Sequence, residues 1–212
     1  MSLQTKIIKL GPGALDPEAM SHMARIILAD GVMAYPTDTF YGLGVCAYSE
    51  PAVQKVYALK QRDRGKPLSV VVSGVEMARE IAVSLPPAFG ELSREFWPGP
   101  LTIVIKAHPL FPAGLLGPGA TLALRLPDVP WLLELVGRMN APLTATSANI
   151  SGRKEIADPR QVIRIFRGKV DLIVDGGRTA GGLPSTIVDA TSPKPRILRE
   201  GAIPIRRLRR YL

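Results

Sequence analysis

VMAYPTDTFYGLG, residues 32–44, is the stretch on which the reading of the fold turns. Its first part, VMAYP (32–36), is apolar and bounded by turn-forming residues, and it predicts a strand. Directly after it, Thr37, Asp38, Thr39 and Tyr41 set side-chain oxygens beside Gly42 and Gly44, which permit close backbone approach. Such a loop at a strand end suits a small polar ligand. A hydrogen-bonded turn that merely closes the strand accounts for the same spacing.

Outward from this stretch, helical and strand patterns interleave. TKIIKL (5–10) reads as a strand, and Pro17 to Asp30 carries Ala19, Met20, Met23, Ile26 and Ile27 at helical spacing before Gly31. Ser49 and Pro51 open a helix whose apolar face is Val53, Val56, Tyr57 and Leu59, ending near Lys60. Further strands are expected at 68–73, 101–107, 121–126 and 142–147, and further helices at 75–83, 87–96, 130–139 and from Pro159 through VIRIF. Short strands at 171–175, 185–190 and 196–200 dominate the remainder. This order predicts an α/β (α+β mixed) fold, a twisted, mostly mixed open sheet with packed helices, in a single domain over 1–212. The Pro- and Gly-rich segment 108–119 (HPLFPAGLLGPG) is expected to be a mobile surface loop.

Composition narrows the chemistry. The single cysteine, Cys46, excludes an internal disulfide, and with His22 and His108 the only histidines a Cys/His zinc cage cannot be built. Histidine-based acid–base catalysis is disfavoured for the same reason. No apolar run approaches the roughly 18 residues of a membrane span, so no membrane role and a cytoplasmic location are expected. The net charge of +9 points to a polyanionic partner, either RNA or nucleotide phosphates, or to a solubilising surface. Arg206, Arg207, Arg209 and Arg210 read equally as a solvated terminal turn and as an RNA contact.

Four more segments carry candidate chemistry. In KQRDRGKPL (60–68), Lys60, Arg62, Arg64 and Lys66 would share one side if extended, about 7 Å apart, a spread suited to a triphosphate. Cations following a helix C-terminus are the alternative. In FWPGPLT (96–102), Trp97 reads as a packing anchor. TLALR (121–125) puts Thr121, Ala123 and Arg125 on one strand face, and TSANISG (146–152) offers Ser147 and Asn149 beyond a strand end.

These strings resemble the YrdC/Sua5 family of threonylcarbamoyl-AMP synthases. PTDTFYGLG is similar to the family's PT-[D/E]-T-x-YGLG, and Lys60, Arg62, Lys66, Pro67 and Leu68 match its K-x-R-x-x-x-[K/N]-P-L. WPGPLT, T-x-A-x-R, S-A-N-x-S-G, the PSTIVDAT strand (184–191) and ILREG (197–201) follow in the family's order. The resemblance spans about residues 32–201, and it implies a YrdC-like (DHBP synthase-like) fold. It further implies threonine-side contacts from Thr37, Arg125, Ala145 and Ser185. ATP-side contacts are implied for Lys60, Arg62, Lys66, Thr121, Ser147, Asn149, Arg153 and Arg199. Val70, Val71 and Val72 stand where some members carry a histidine, so no histidine contact carries over.

The implied activity is that of a nucleotidyltransferase. It would join ATP, L-threonine and bicarbonate into threonylcarbamoyl-AMP, with Mg²⁺ held through ATP rather than by protein ligands. A transferase partner would then pass the threonylcarbamoyl group to adenosine 37 of tRNA. The alternative is a non-catalytic module of the same fold that binds double-stranded RNA, ribosomal RNA or tRNA through its basic surface.

Overall fold

The computed structural model describes residues 3–11 and 15–212. The order is β1 (Lys6–Lys9), α1 (Pro17–Leu28), β2 (Met33–Pro36), β3 (Tyr41–Gly44), α2 (Glu50–Lys60), β4 (Ser69–Val71), α3 (Val75–Ile81) and α4 (Pro87–Phe96). It continues through β5 (Leu101–Lys106), β6 (Thr121–Arg125), α5 (Pro130–Met139), β7 (Leu143–Ser147), α6 (Pro159–Phe166), β8 (Leu172–Asp175), β9 (Thr186–Asp189), β10 (Arg196–Arg199) and α7 (Ile205–Leu208). The helix starts carry the signals seen in the sequence. Asp16, Ser49 and Asp158 each accept a backbone N–H at the head of α1, α2 and α6, each followed by proline in the first turn.

Among the described residues ten strands form one mixed sheet in the order β1-β8-β2-β3-β7-β4-β6-β5-β9-β10. The expected mixed fold is therefore the observed one, with one element added. YGLG (41–44) is not loop but strand β3, paired antiparallel with β2 from Met33↔Gly44 to Pro36↔Tyr41 and with β7 through Gly42↔Ser147 and Leu43↔Thr146. Glycine is depleted in strands, which is why the segment reads as irregular. Here the glycines serve a close approach. A Cβ on Gly44 would lie 2.7 Å from the Tyr35 ring and 2.8 Å from Leu143, and one on Gly42 would lie 3.2 Å from Tyr35. The missing side chains make room for the fully buried Tyr35, whose hydroxyl donates to the Thr144 carbonyl at 3.1 Å.

Trp97 is the packing anchor expected: it is buried, its Nε1 donates to the Leu101 carbonyl at 2.8 Å, and Phe89 meets it edge-on at 5.4 Å. One expectation needs correction. Residues 108–119 do not lie loose on the surface. Phe111 and Leu115 are buried, Phe111 stacks on Tyr48, and the Tyr57 hydroxyl donates to the Gly114 carbonyl at 2.7 Å. Apolar side chains outweighed the Pro/Gly composition. The four C-terminal arginines are all exposed, as a solvated terminal turn predicts. Arg207 and Arg210 face Glu95 at 3.7 and 3.3 Å, and Arg207 lies over the Phe96 ring.

No helix among the described residues is long and apolar enough to cross a membrane. The tightness of the β2–β3–β7 junction leads to a stability prediction. Gly44→Ala should cost about 2 kcal/mol through overpacking and lower Tm by roughly 4–8 °C. Gly90→Ala, where an added Cβ meets open space on α4, should leave Tm unchanged or slightly raised. Equal melting of Gly44→Ala and the parent would contradict the clearance argument.

Candidate functional site

Around the junction of β3 with β7 the strand ends and their turns enclose a cavity of about 210 Å³. The β2–β3 turn closes through the Thr37 N–H and hydroxyl, both donating to the Phe40 carbonyl at 3.1 and 2.7 Å. This folds Thr37 and Thr39 to one wall, their hydroxyls 3.2 Å apart. β6 and β7 supply Ala123, Arg125, Ala145 and Ser147, while the start of β9 and the end of β10 supply Ser185 and Arg199. The hydrogen-bonded turn read from PTDTFYGLG is the one observed, and its threonine hydroxyls face a cavity.

The structure brings together Thr37, Arg62, Arg125, Ala145, Ser147, Ser185 and Arg199, all of which line this cavity. Lys60, Lys66, Thr121, Asn149 and Arg153 stand outside its wall. Lys66 and Arg153 are exposed, and Thr121 is engaged with Gly117 across an isolated bridge. The extended, one-sided row of cations at 60–66 does not form. α2 runs to Lys60, Gln61 takes a left-handed conformation that ends it, and Arg62 folds back to donate to the Lys66 and Pro67 carbonyls at 2.9 and 3.1 Å.

Lys60 turns inward instead. It is 1 % exposed, and its ammonium donates to the Ser147 carbonyl, the Asn149 carbonyl at 2.7 Å and Asn149 Oδ1 at 2.9 Å. The Ser147 hydroxyl also donates to Asn149 Oδ1 at 2.7 Å, and Asn149 Nδ2 donates to the Arg153 carbonyl. Lys60 and Asn149 therefore hold the β7 exit in shape and present Ser147 to the cavity.

Arg125 is nearly buried and ion-paired with Asp38, and its Nε donates to the Gly99 carbonyl at 3.4 Å. Ser185 and Thr102 bring their hydroxyls within 2.9 Å, and Arg199 donates to the Ser185 carbonyl at 2.7 Å and to its hydroxyl at 3.3 Å. Burial lowers the Arg199 pKa, with Glu155 opposing and the charges of Arg125 and Arg62 adding to the fall. Three guanidinium groups thus repel one another across one small space, amid hydroxyls that can orient a polar ligand.

The sequence reading missed Ser69, Thr102 and Glu155, and it named Asp38 and Thr39 as candidates without giving them a role. Thr39 and Asp38 were visible in the PTDT string, and Thr102 closes WPGPLT. Ser69 leads the strand where a histidine was sought, and Val70, Val71 and Val72 are all core. Exposed Glu155 had no local signal.

Burial pushes the Lys60 pKa down from 10.5 to about 8, with Arg62 adding to the fall and Glu155 opposing it. Since folding lowers this pKa, the unfolded chain holds more protons between about pH 8 and 10.5, so the Lys60 contribution to stability improves as pH rises through that window. In lysine Cε NMR spectra, one resonance should titrate near pH 8 and vanish in Lys60→Met. A set of lysines that all titrate together in the ordinary range would refute this burial.

The chain is similar in sequence and in fold to known proteins. The Sua5/YciO/YrdC family model, described as telomere recombination, matches residues 25–201. The threonylcarbamoyl-AMP synthase of Pyrococcus abyssi is 35 % identical over 189 residues, covering 89 % of this chain and 56 % of that protein. The chain thus spans about half the length of that relative. A protein of Methanocaldococcus jannaschii is 35 % identical over 214 residues and is matched along 99 % of this chain and 100 % of its own. The crystal structure of P. abyssi Sua5 complexed with L-threonine superposes with a TM-score of 0.92 at 33 % identity, over 98 % of this chain and 61 % of that one. With the family model matched over residues 25–201 and a relative 35 % identical along 99 % of this chain and 100 % of its own, the chain belongs to the Sua5/YciO/YrdC family.

Proposed function

We propose that the chain condenses L-threonine, bicarbonate and ATP into threonylcarbamoyl-AMP and pyrophosphate. One observation carries the reading. Arg62, Arg125 and Arg199 line a single cavity with the hydroxyls of Thr37, Ser147 and Ser185, a donor-rich site suited to anionic ligands. The likeness to a P. abyssi protein solved with L-threonine supports the amino-acid half of the reading. The RNA-binding alternative draws only on net charge, and Arg207 and Arg210 already face Glu95.

In this reading Arg125, Thr37, Ala145 and Ser185 receive threonine, and its carboxylate meets the guanidinium fork. Arg62, Ser147 and Arg199 face ATP, while Lys60 and Asn149 act by shaping the turn that presents Ser147. The amine, once it has lost a proton to water or bicarbonate, adds to the carbon of carbon dioxide and releases a further proton, or adds to bicarbonate with a C–O bond broken and water expelled, to give a carbamate. A carbamate oxygen then attacks the α-phosphorus, and the bond to the bridging oxygen breaks with its electrons leaving on pyrophosphate. No covalent enzyme intermediate is needed, so catalysis rests on positioning and charge neutralisation.

Among the described residues no group of His, Cys, Asp and Glu is arranged to hold a metal ion. Mg²⁺ would be carried by the ATP phosphates and water, where it would neutralise phosphate charge. The adenylate product would serve a transferase that modifies tRNA, in keeping with a cytoplasmic enzyme.

Pyrophosphate release tests the proposal. It should require ATP and Mg²⁺ and depend on both L-threonine and bicarbonate. Arg125→Ala should remain folded and raise KM for threonine by roughly 10- to 100-fold, the loss of a charged hydrogen-bond pair. Release indifferent to threonine would sink the synthase reading.

A further inference from the structure

The PTDT turn splits its side chains. Thr37 and Thr39 line the main cavity, Thr39 also bordering a neighbouring recess, whereas Asp38 is absent from the main cavity and lines only that recess, with Pro98, Gly99, Pro100 and Asp128. From there its carboxylate pairs with Arg125 Nη2, while Gly99 takes Nε. Both partners are largely withdrawn from water, with side-chain exposures of 10 % for Arg125 and 16 % for Asp38. Arg125 can still offer hydrogen-bond donors to the cavity, because a guanidinium carries five and these contacts use two.

We infer that Asp38 is a specificity-determining residue, offsetting the charge of Arg125 from behind so that the cavity offers its donors without its net charge. The consequence is selective. A zwitterionic amino acid meets a neutral pair that still has a donor fork, whereas a phosphate meets a carboxylate close behind the arginine. Like-charge proximity in a poorly solvated place disfavours the polyanion far more than the zwitterion. Arg62 and Arg199 have no ion-pair partner of this kind among the described residues, and they keep their charge for phosphates. Asp38 thereby directs two ligands, each of which could bind an arginine, to different arginines within one cavity.

The identity of the zwitterion rests on the synthase reading, but the charge argument does not. Inorganic phosphate is therefore the probe, with arginine side-chain ¹⁵N spectra as the readout and the Arg125 Nε signal assigned by its loss in Arg125→Lys. In the parent protein, phosphate should shift Arg62 or Arg199 while leaving Arg125 in place. In Asp38→Asn the Arg125 signal should respond with at least ten-fold higher apparent affinity, and phosphate should then displace L-threonine. Asp38→Glu should restore the parent pattern. Should Asp38→Asn fail to fold, the ranking of the arginines in the parent decides alone. An Arg125 response in the parent as strong as that of Arg62 and Arg199 would overturn the inference, as would equal phosphate affinity at Arg125 in the parent and Asp38→Asn. A parent protein that does not bind L-threonine would sink the synthase reading, with the Arg125 phosphate response still deciding the role of Asp38.

Discussion

The sheet hangs together on the space left by two absent side chains. Because Gly42 and Gly44 carry no Cβ, the Tyr35 ring can lie against β3, and β3 can sit between β2 and β7. On one side of that junction lie β1, β8 and β2, and on the other β4, β6, β5, β9 and β10. β3 is the strand through which the halves are joined. The cavity forms at this seam because the turn before β3, the exit of β7 and the face of β6 all open there. Ligand sites beyond strand ends are common in open sheets, and here the mixed strand directions gather several such ends in one place.

Electrostatics then sorts the residues placed there. Guanidinium groups are costly to bury unpaired, and of the three arginines of the cavity Arg125 is buried while Arg62 and Arg199 keep access to solvent. Arg125 pairs with Asp38, Arg62 donates to backbone carbonyls, and Arg199 caps the Ser185 carbonyl. Of the other cations of the motif, Lys66 is exposed and Lys60 leaves the cavity altogether to serve the β7 exit from beneath. A family motif that reads as a row of phosphate ligands thus divides into a structural residue and a cavity residue two positions apart.

Much of the fold was legible because its signals are local. Asp16, Ser49 and Asp158 with their following prolines mark helix starts, and β-branched runs such as LTIVIK mark strands. β3 was not legible, since glycine in a strand has meaning only beside the partner it admits, and Tyr35 lies across the hairpin. The 108–119 segment misled for a related reason. Its Phe111 stacks on Tyr48 and its Gly114 carbonyl accepts from the Tyr57 hydroxyl, contacts far away in sequence. In the site, period-two spacing correctly put Ala123 and Arg125 on one face. It failed for Lys60 and Lys66, because the segment leaves its helix through a left-handed residue rather than as a strand. Asp38 could be seen in the motif but not its direction, which only the turn geometry sets.

The central claim is that one cavity accommodates a zwitterion at Arg125 and phosphates at Arg62 and Arg199. A crystal structure of the protein with L-threonine and a non-hydrolysable ATP analogue tests it most directly. The account places the threonine carboxylate on Arg125, with Thr37 and Ser185 alongside, and the phosphates against Arg62 and Arg199. Phosphate density on Arg125, or threonine outside this cavity, would contradict it.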